Sequence, residues 1–405
     1  MLTFRYTARD PASGQYVKSD VQAENEQAAS KLIRKEGLVP IDISLSEKAA
    51  TGFIGKRLNR VKTKDKVLFS RQLSTLINAG LPLVQSLRNV NGQTTSKPLK
   101  VVVNKVISDV EAGATLSAAM GKHPEVFNQV YVSLIAAGEA SGTLDKALER
   151  LALQQEKDAE ILSKVRGAMI YPLIVVAVMI GVVTFMLVTV LPQVQVLYEG
   201  LPGAELPLLT KVLLAISGFV TKYWWAVVIL LGLAVFFTTR WARTFGGKQV
   251  IDKAKMRMWP VGPLFTKMYM ARFARTGGTL VSSGVPLIQM LEITANSVNN
   301  VHVEDSIHKA AEKVKGGKAL SDALQRDPNF LELVPNMLRI GEQSGSMEQM
   351  LAKTADYYEK EVDDQIKAIS TIIEPVLMVI LGIVAFIIVA AVLLPIYGLA
   401  GQSFV

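Results

Sequence analysis

The 405-residue sequence contains no cysteine. Disulfides and cysteine-based metal sites are therefore excluded. Histidine is almost as scarce. His123, His302 and His308 are the only three, and the closest two sit six apart, which does not place both on one helical face for a metal. "GGKQ" at Gly246 and "GGKA" at Gly316 lack the G-x-x-x-x-G-K-[ST] frame that cradles phosphates. H-E-x-x-H and G-x-S-x-G are missing too, and no nucleophile–base pair stands out. The opening stretch, "MLTFRYTARDPASGQ", lacks the apolar core of a signal peptide and alternates like a strand instead. These absences argue against an enzyme, a metal protein and a bound cofactor.

What the sequence has in abundance is apolar length. Ala168–Pro192 and Thr371–Pro395 are long apolar runs, and a bilayer core of roughly 30 Å needs about 20 such residues. Tyr223–Thr239 is shorter, extends backwards into "VLLAISGFV", and carries Trp224, Trp225 and Trp241 at its ends, where an interface would hold them. The run centres contain no ionisable residue; Glu374 sits near one end. An ion pathway normally needs such a group, which disfavours transport by this chain alone. All but two of the 44 Lys and Arg lie in 1–167 and 240–370, the exceptions being Lys211 and Lys222. The positive-inside rule then places both large segments in the cytoplasm and the C-terminus outside. The net charge of +9 reads as attraction to anionic inner-leaflet lipid. Basic residues are spread without aromatic interleaving, so no nucleic-acid groove is expected.

The chain also repeats itself. "AGLPLVQSL" (Ala79–Leu87) returns as "SGVPLIQML" (Ser283–Leu291), 204 residues later. Phe69, Arg71, Gly80, Pro82, Gln85, Gly113, Leu116, Ser117 and Pro124 recur as Phe273, Arg275, Gly284, Pro286, Gln289, Gly317, Leu320, Ser321 and Pro328. One residue then drops out. Gly138, Glu139, Ser141, Gly142, Glu156, Pro172 and Pro192 recur at an offset of 203 as Gly341, Glu342, Ser344, Gly345, Glu359, Pro375 and Pro395. The duplicated unit is a helical bundle plus the span after it. Two cytoplasmic bundles separated by one span need a second to bring the chain back, and the weaker run supplies it.

The resulting plan is mainly α: a polytopic inner-membrane protein with two homologous cytoplasmic helical bundles, three transmembrane helices and a small N-terminal α/β module. Its parts are the module at 1–46, a basic linker at 47–64, the first bundle at 65–167 and a span at 168–192. A periplasmic loop at 193–221, a span at 222–239, the second bundle at 240–370, a span at 371–395 and a periplasmic tail at 396–405 follow. Within each bundle, "GLP" and "GVP" read as helix corners, Gly at a left-handed C′ position and Pro opening the next helix. "GEASG" (Gly138–Gly142) and "GEQSG" (Gly341–Gly345) are the best interaction candidates. Glu139 and Glu342 could pair with a basic partner or cap neighbouring helices, and turn chemistry alone also explains every residue type there. Pro172 and Pro375, one turn inside their spans, read either as matched kinks coupling bundle to membrane or as prolines tolerated near a helix start.

These phrases resemble a known family. "RQLSTLINAGLPLVQSL", "GEASGTLDKALERL", "MIYPLIV", "GAELPLLT" and "EPVLMVILG" are similar to those of the inner-membrane platform proteins of type II secretion systems and type IV pili, over nearly the whole chain. The resemblance implies a non-enzymatic platform between a hexameric cytoplasmic assembly or retraction ATPase and pilin or pseudopilin subunits. Other inner-membrane assembly proteins and a homo-oligomer, a dimer or higher, are further implied partners. Some secretion members bind calcium through three carboxylates in the first bundle. The matching positions here are Thr95, Glu149 and Leu153, and only Glu149 is a carboxylate. A hard cation needs several oxygen ligands, so no such site is expected. The other function class left open is an oligomeric membrane channel or transporter subunit.

Overall fold

The computed structural model describes residues 2–9, 11, 16–23, 26–35, 37–45, 61–193, 196 and 208–402. The expected linker at 47–64 falls largely outside them. The N-terminal module pairs β1 (Leu2–Arg9), β2 (Tyr16–Ala23) and β3 (Val39–Leu45) in one antiparallel sheet of order β2-β1-β3. Helix α1 (Glu26–Lys35) covers it. Alternation along β1 sends Tyr6 and Ala8 to one face, where they pack with Ile33 of α1.

The first bundle follows as α2 (Thr63–Asn78), α3 (Leu83–Gln93), α4 (Lys97–Glu111), α5 (Leu116–Gly121), α6 (Gln129–Ser141) and α7 (Leu144–Phe185). After α7, a π-helical turn at Met186–Val190 continues the rod. Next come α8 (Leu208–Trp241) and α9 (Phe245–Arg257). The second bundle repeats the first, helix for helix: α10 (Gly262–Ser282), α11 (Leu287–Val298), α12 (Val301–Lys315), α13 (Leu320–Leu324), α14 (Leu333–Ser344) and α15 (Met347–Gln402).

The repeat is physical as well as textual. Phe69 and Phe127 meet in the first core with ring centroids 6.1 Å apart; their counterparts Phe273 and Phe330 meet at 5.1 Å. Both cores are closed by fully buried aliphatics, including Leu73, Leu87 and Leu148 in one and Leu280, Leu291 and Leu351 in the other. Each such side chain contributes about 1.5–3 kcal/mol by leaving water. Pro82 and Pro286 sit one residue before α3 and α11, and their carbonyls accept the first helical bonds from Ser86 and Met290. The corner was expected; proline takes the cap position in it.

Among the described residues, two helices are long and apolar enough to cross a membrane, Leu144–Gln193 and Met347–Leu394. A third region passes only as a bent pair, Thr210–Tyr223 and Trp225–Trp241, at 76°. The expected loop at 193–221 is therefore helical from Leu208 on. Its hydroxyls reach both long rods: Thr210 donates to the Ala391 carbonyl (3.1 Å) and Ser217 to that of Leu187 (2.5 Å). The π-turn changes the carbonyl ladder at Leu187, which leaves that oxygen for a partner helix. The expected tail at 396–405 likewise continues α15 as far as Gln402, because no Gly–Pro break stops it after Pro395.

Candidate functional site

The two "GExSG" segments end α6 and α14. Gly142 and Gly345 are the left-handed C-caps, at φ 69° and 68°, a backbone region that costs a side-chain-bearing residue. Gly138 and Gly341 are needed for a different reason. A Cβ on Gly138 would stand 2.5 Å from the Ala147 Cβ, and one on Gly341 3.0 Å from the Met347 Cα. Each corner thus lets the following long helix lie directly against the preceding one.

The glutamates turn back onto a short helix. Glu139 accepts from the Leu116 N–H (2.5 Å), the Ser117 N–H (3.1 Å) and the Ser117 hydroxyl. Glu342 accepts from the Leu320 N–H (2.5 Å), the Ser321 N–H (3.3 Å) and the Ser321 hydroxyl (2.5 Å). Four amides at a helix start have no partner inside the helix. In α5, those of Leu116 and Ser117 go to Glu139 and that of Ala118 to the Thr115 hydroxyl oxygen (3.2 Å), while the Thr115 carbonyl accepts the first intrahelical bond, from Ala119 (3.0 Å). A carboxylate at this positive end is doubly favoured. Ser141 and Ser344 bond back to the carbonyls of Ala137 and Ile340. Of the two readings of these glutamates, the geometry gives the cap, and the exposed part of each corner is its last three residues, Ala140–Gly142 and Gln343–Gly345.

Pro172 and Pro375 lie inside α7 and α15, each an uninterrupted helix from bundle to apolar stretch. Glu149 is exposed on α7, one turn before Leu153. Among the described residues, no group of three or more His, Asp or Glu side chains could hold a metal.

Two features escaped the sequence reading. The first is a clasp between opening and closing helices. Arg71 holds Glu156 through Nε (2.5 Å) and a second, Nη2 contact. Arg275 holds Glu359 through Nε (2.7 Å) and Asp356 through Nη2 (2.5 Å). The hydrogen bond from Arg71 holds the Glu156 carboxyl below the usual range. The recurrence of Arg71 and Glu156 in both copies was the available signal. The second is a seam where α7 lies on α10 and α15. Gln154 donates to Thr276 (2.8 Å), Arg150 to the Ser282 carbonyl (2.5 Å), and Lys164 to Asp363 (2.6 Å). Asp158 stands 4.0 Å from Arg272; burial there pushes its carboxyl up and Arg272 opposes this only in part. Ile161, Val165 and Ala168 pack onto a cluster of Leu264, Val362, Ile366 and Ile369.

Comparison with known proteins follows the same division. The family described as "Type II secretion system (T2SS), protein F" matches residues 69–192 and again 273–395. The N-terminal domain of that protein matches 1–44. The type IV pilus assembly protein PilC of Thermus thermophilus is 37% identical over 407 residues, covering 99% of each chain. Its namesake from Myxococcus xanthus is 37% identical over 390 residues, covering 96% of this chain and 93% of that one. The type II secretion system protein F of Vibrio cholerae is 32% identical over 403 residues, covering 98% of each. With two family matches coinciding with the two bundle-plus-rod repeats, the chain belongs to the type II secretion system protein F family.

Proposed function

We propose that the chain is the inner-membrane platform of a type IV filament machine, serving type IV pilus biogenesis or type II secretion. In this reading both bundles and the N-terminus are cytoplasmic, and the turn after α7 and the C-terminus are periplasmic. A hexameric assembly or retraction ATPase acts on the bundles. Pilin or pseudopilin subunits meet the apolar rods, with other assembly proteins and anionic lipid around them.

One observation carries the proposal: the last helix of each bundle is also its apolar rod. α7 has 42 residues and α15 has 56. At 1.5 Å per residue they are about 63 and 84 Å long. A displacement of a bundle by a partner is passed along an unbroken helix instead of being lost in a loop. The missing catalytic motifs fit a relay that does no chemistry itself, and the names of the relatives fit both machines. Pro172 and Pro375 stand at matched points of the two rods, where a kink would couple bundle to membrane.

Deleting the gene tests this. Filament assembly or secretion should stop while the ATPase and pilin-like subunits are still made, and the wild-type chain should restore it. Normal filaments and normal secretion in the deletion strain would refute the proposal.

A further inference from the structure

Helix α9 (Phe245–Arg257) stands outside the duplicated unit, between the family matches that end at 192 and resume at 273. From Arg240 to Pro260 the sequence holds six Lys and Arg and a single acid, Asp252. Asp252 is buried and already engaged: it accepts from the Val301 N–H at 3.2 Å and from Lys255 at 2.9 Å. The His302 ring donates to the Gln249 carbonyl at 2.9 Å. These bonds fix the inner face of α9 on the start of α12. The outer face carries Val250, Lys253, Ala254 and Arg257, spaced i, i+3, i+4 and i+7 and all exposed. Arg243, Lys253 and Arg257 make no ion pair among the described residues. Large apolar side chains frame this basic stripe. Trp241 and Phe245 precede it, Met258 and Trp259 follow it, and Phe245 is 72% and Trp259 79% exposed. Water offers such side chains nothing, whereas the headgroup layer of a bilayer takes aromatic rings and cations together.

Both ends of α9 stand where the rods enter their apolar stretches. Val261, two residues after Trp259, packs against the cluster of Leu264, Val362, Ile366 and Ile369, as do Ala168 and Ile373. Ala168 and Thr371 open the two apolar runs. The level of the other end follows from α8. Thr210 and Ser217 meet the rods at Ala391 and Leu187, about 30 Å along each rod from those openings. The chain then bends by 76°, and Trp225–Trp241 runs about 26 Å. Only the direction back along the rods lets it reach Val261 through α9. Trp241 and Trp259 therefore share one level, and α9, about 20 Å long, lies across between them.

We propose that the outer face of α9 binds an anionic lipid surface, with Trp241, Phe245, Met258 and Trp259 seated in the headgroup layer and Arg243, Lys253 and Arg257 on its phosphates. Through Asp252 and Gln249 the helix then fastens the second bundle to the leaflet, independently of the α15 rod. This deepens the lipid contact named above and rests on the rods spanning a membrane.

The chain has no cysteine, so one introduced residue carries one fluorophore. Val250→Cys reports α9, Val379→Cys the α15 rod, and Lys318→Cys the corner at the far end of α12. Each full-length variant is reconstituted into vesicles of phosphatidylcholine alone or of an equal mixture with phosphatidylglycerol. Iodide quenches from water, and a nitroxide high on a lipid acyl chain quenches from the bilayer. In the mixed vesicles the Val250→Cys label should be quenched by the nitroxide, and Lys318→Cys by iodide. A cation near an anionic leaflet contributes about fivefold. Lys253→Gln with Arg257→Gln should therefore lower the docked-to-free ratio of α9 roughly 25-fold and return the Val250→Cys label to iodide. Iodide quenching of Val250→Cys equal to that of Lys318→Cys in mixed vesicles overturns the proposal. So does nitroxide quenching that persists unchanged without phosphatidylglycerol or in the double variant, which marks apolar contact without charge recognition. A Val250→Cys label shielded from both quenchers overturns it too, and marks a protein contact. Val379→Cys separates the two readings: if it escapes the nitroxide, the membrane placement itself fails, and if it is quenched while Val250→Cys stays in water, only the role of α9 fails.

Discussion

Replacing Glu139 with alanine removes the carboxylate that holds the start of α5. Two backbone amides, at 2.5 and 3.1 Å, and the Ser117 hydroxyl lose their acceptor together. A hydrogen bond to a charged group is worth about 1.5–3 kcal/mol. The carboxylate is only half buried, so water replaces part of what is lost and the three do not add fully. The expected cost is about 2–4 kcal/mol of local stability. With a tenfold change per 1.4 kcal/mol, amide exchange in 114–122 should accelerate roughly 30- to 1,000-fold where local opening governs it. Hydrogen exchange with mass spectrometry on the detergent-solubilised full chain reads this directly. Glu139→Gln keeps one acceptor oxygen and should recover part of the protection. Glu342→Ala should produce the same loss at 318–325, because its bonds are equivalent. Unchanged exchange at 114–122 in Glu139→Ala would refute the capping argument. An equal acceleration over the whole first bundle would refute its local form.

The Arg71–Glu156 clasp should weaken in acid. Glu156 is held below its unfolded value, so its contribution is complete above about pH 4.3, the unfolded glutamate value, and is lost as pH falls through the depressed folded value. Arg71→Gln should remove that acid dependence from the exchange of α2 and cost at most about 1 kcal/mol at neutral pH, because both partners are more than a third exposed. At the seam, Gln154 is buried and its Oε1 has no partner among the described residues. Thr276→Val leaves its amide wholly unpaired and should loosen the seam by about 1–3 kcal/mol, whereas Gln154→Leu should be near neutral; limited proteolysis between the bundles ranks the two variants.

The repeat, the apolar rods and the helix corners were legible in the sequence because each is written in near neighbours. Gly80, Gly142 and their counterparts mark left-handed corners through residues a few positions apart, and the spans announce themselves by length. The "GExSG" segments were legible as corners and open as to what their glutamates do. The carboxylates act 21 to 23 residues back along the chain, a distance over which no periodicity carries information. The loop expected at 193–221 was read from its charge and its place between two runs. It is helical from Leu208 because "LLTKVLLAISGFV" can bury its hydroxyls against carbonyls of the two rods, and those carbonyls are brought there only by packing.

The sequence by itself determined that two copies of one helical bundle exist, each continuous with an apolar rod, and that no cysteine chemistry or phosphate-binding loop of the P-loop kind accompanies them. Only the tertiary structure decided how the copies meet. The polar contacts of the seam join residues 114 to 199 positions apart, and its character depends on the rotation of α7 about its own axis against α10 and α15. Helical periodicity says which residues share a stripe; packing between distant segments decides which stripe is covered.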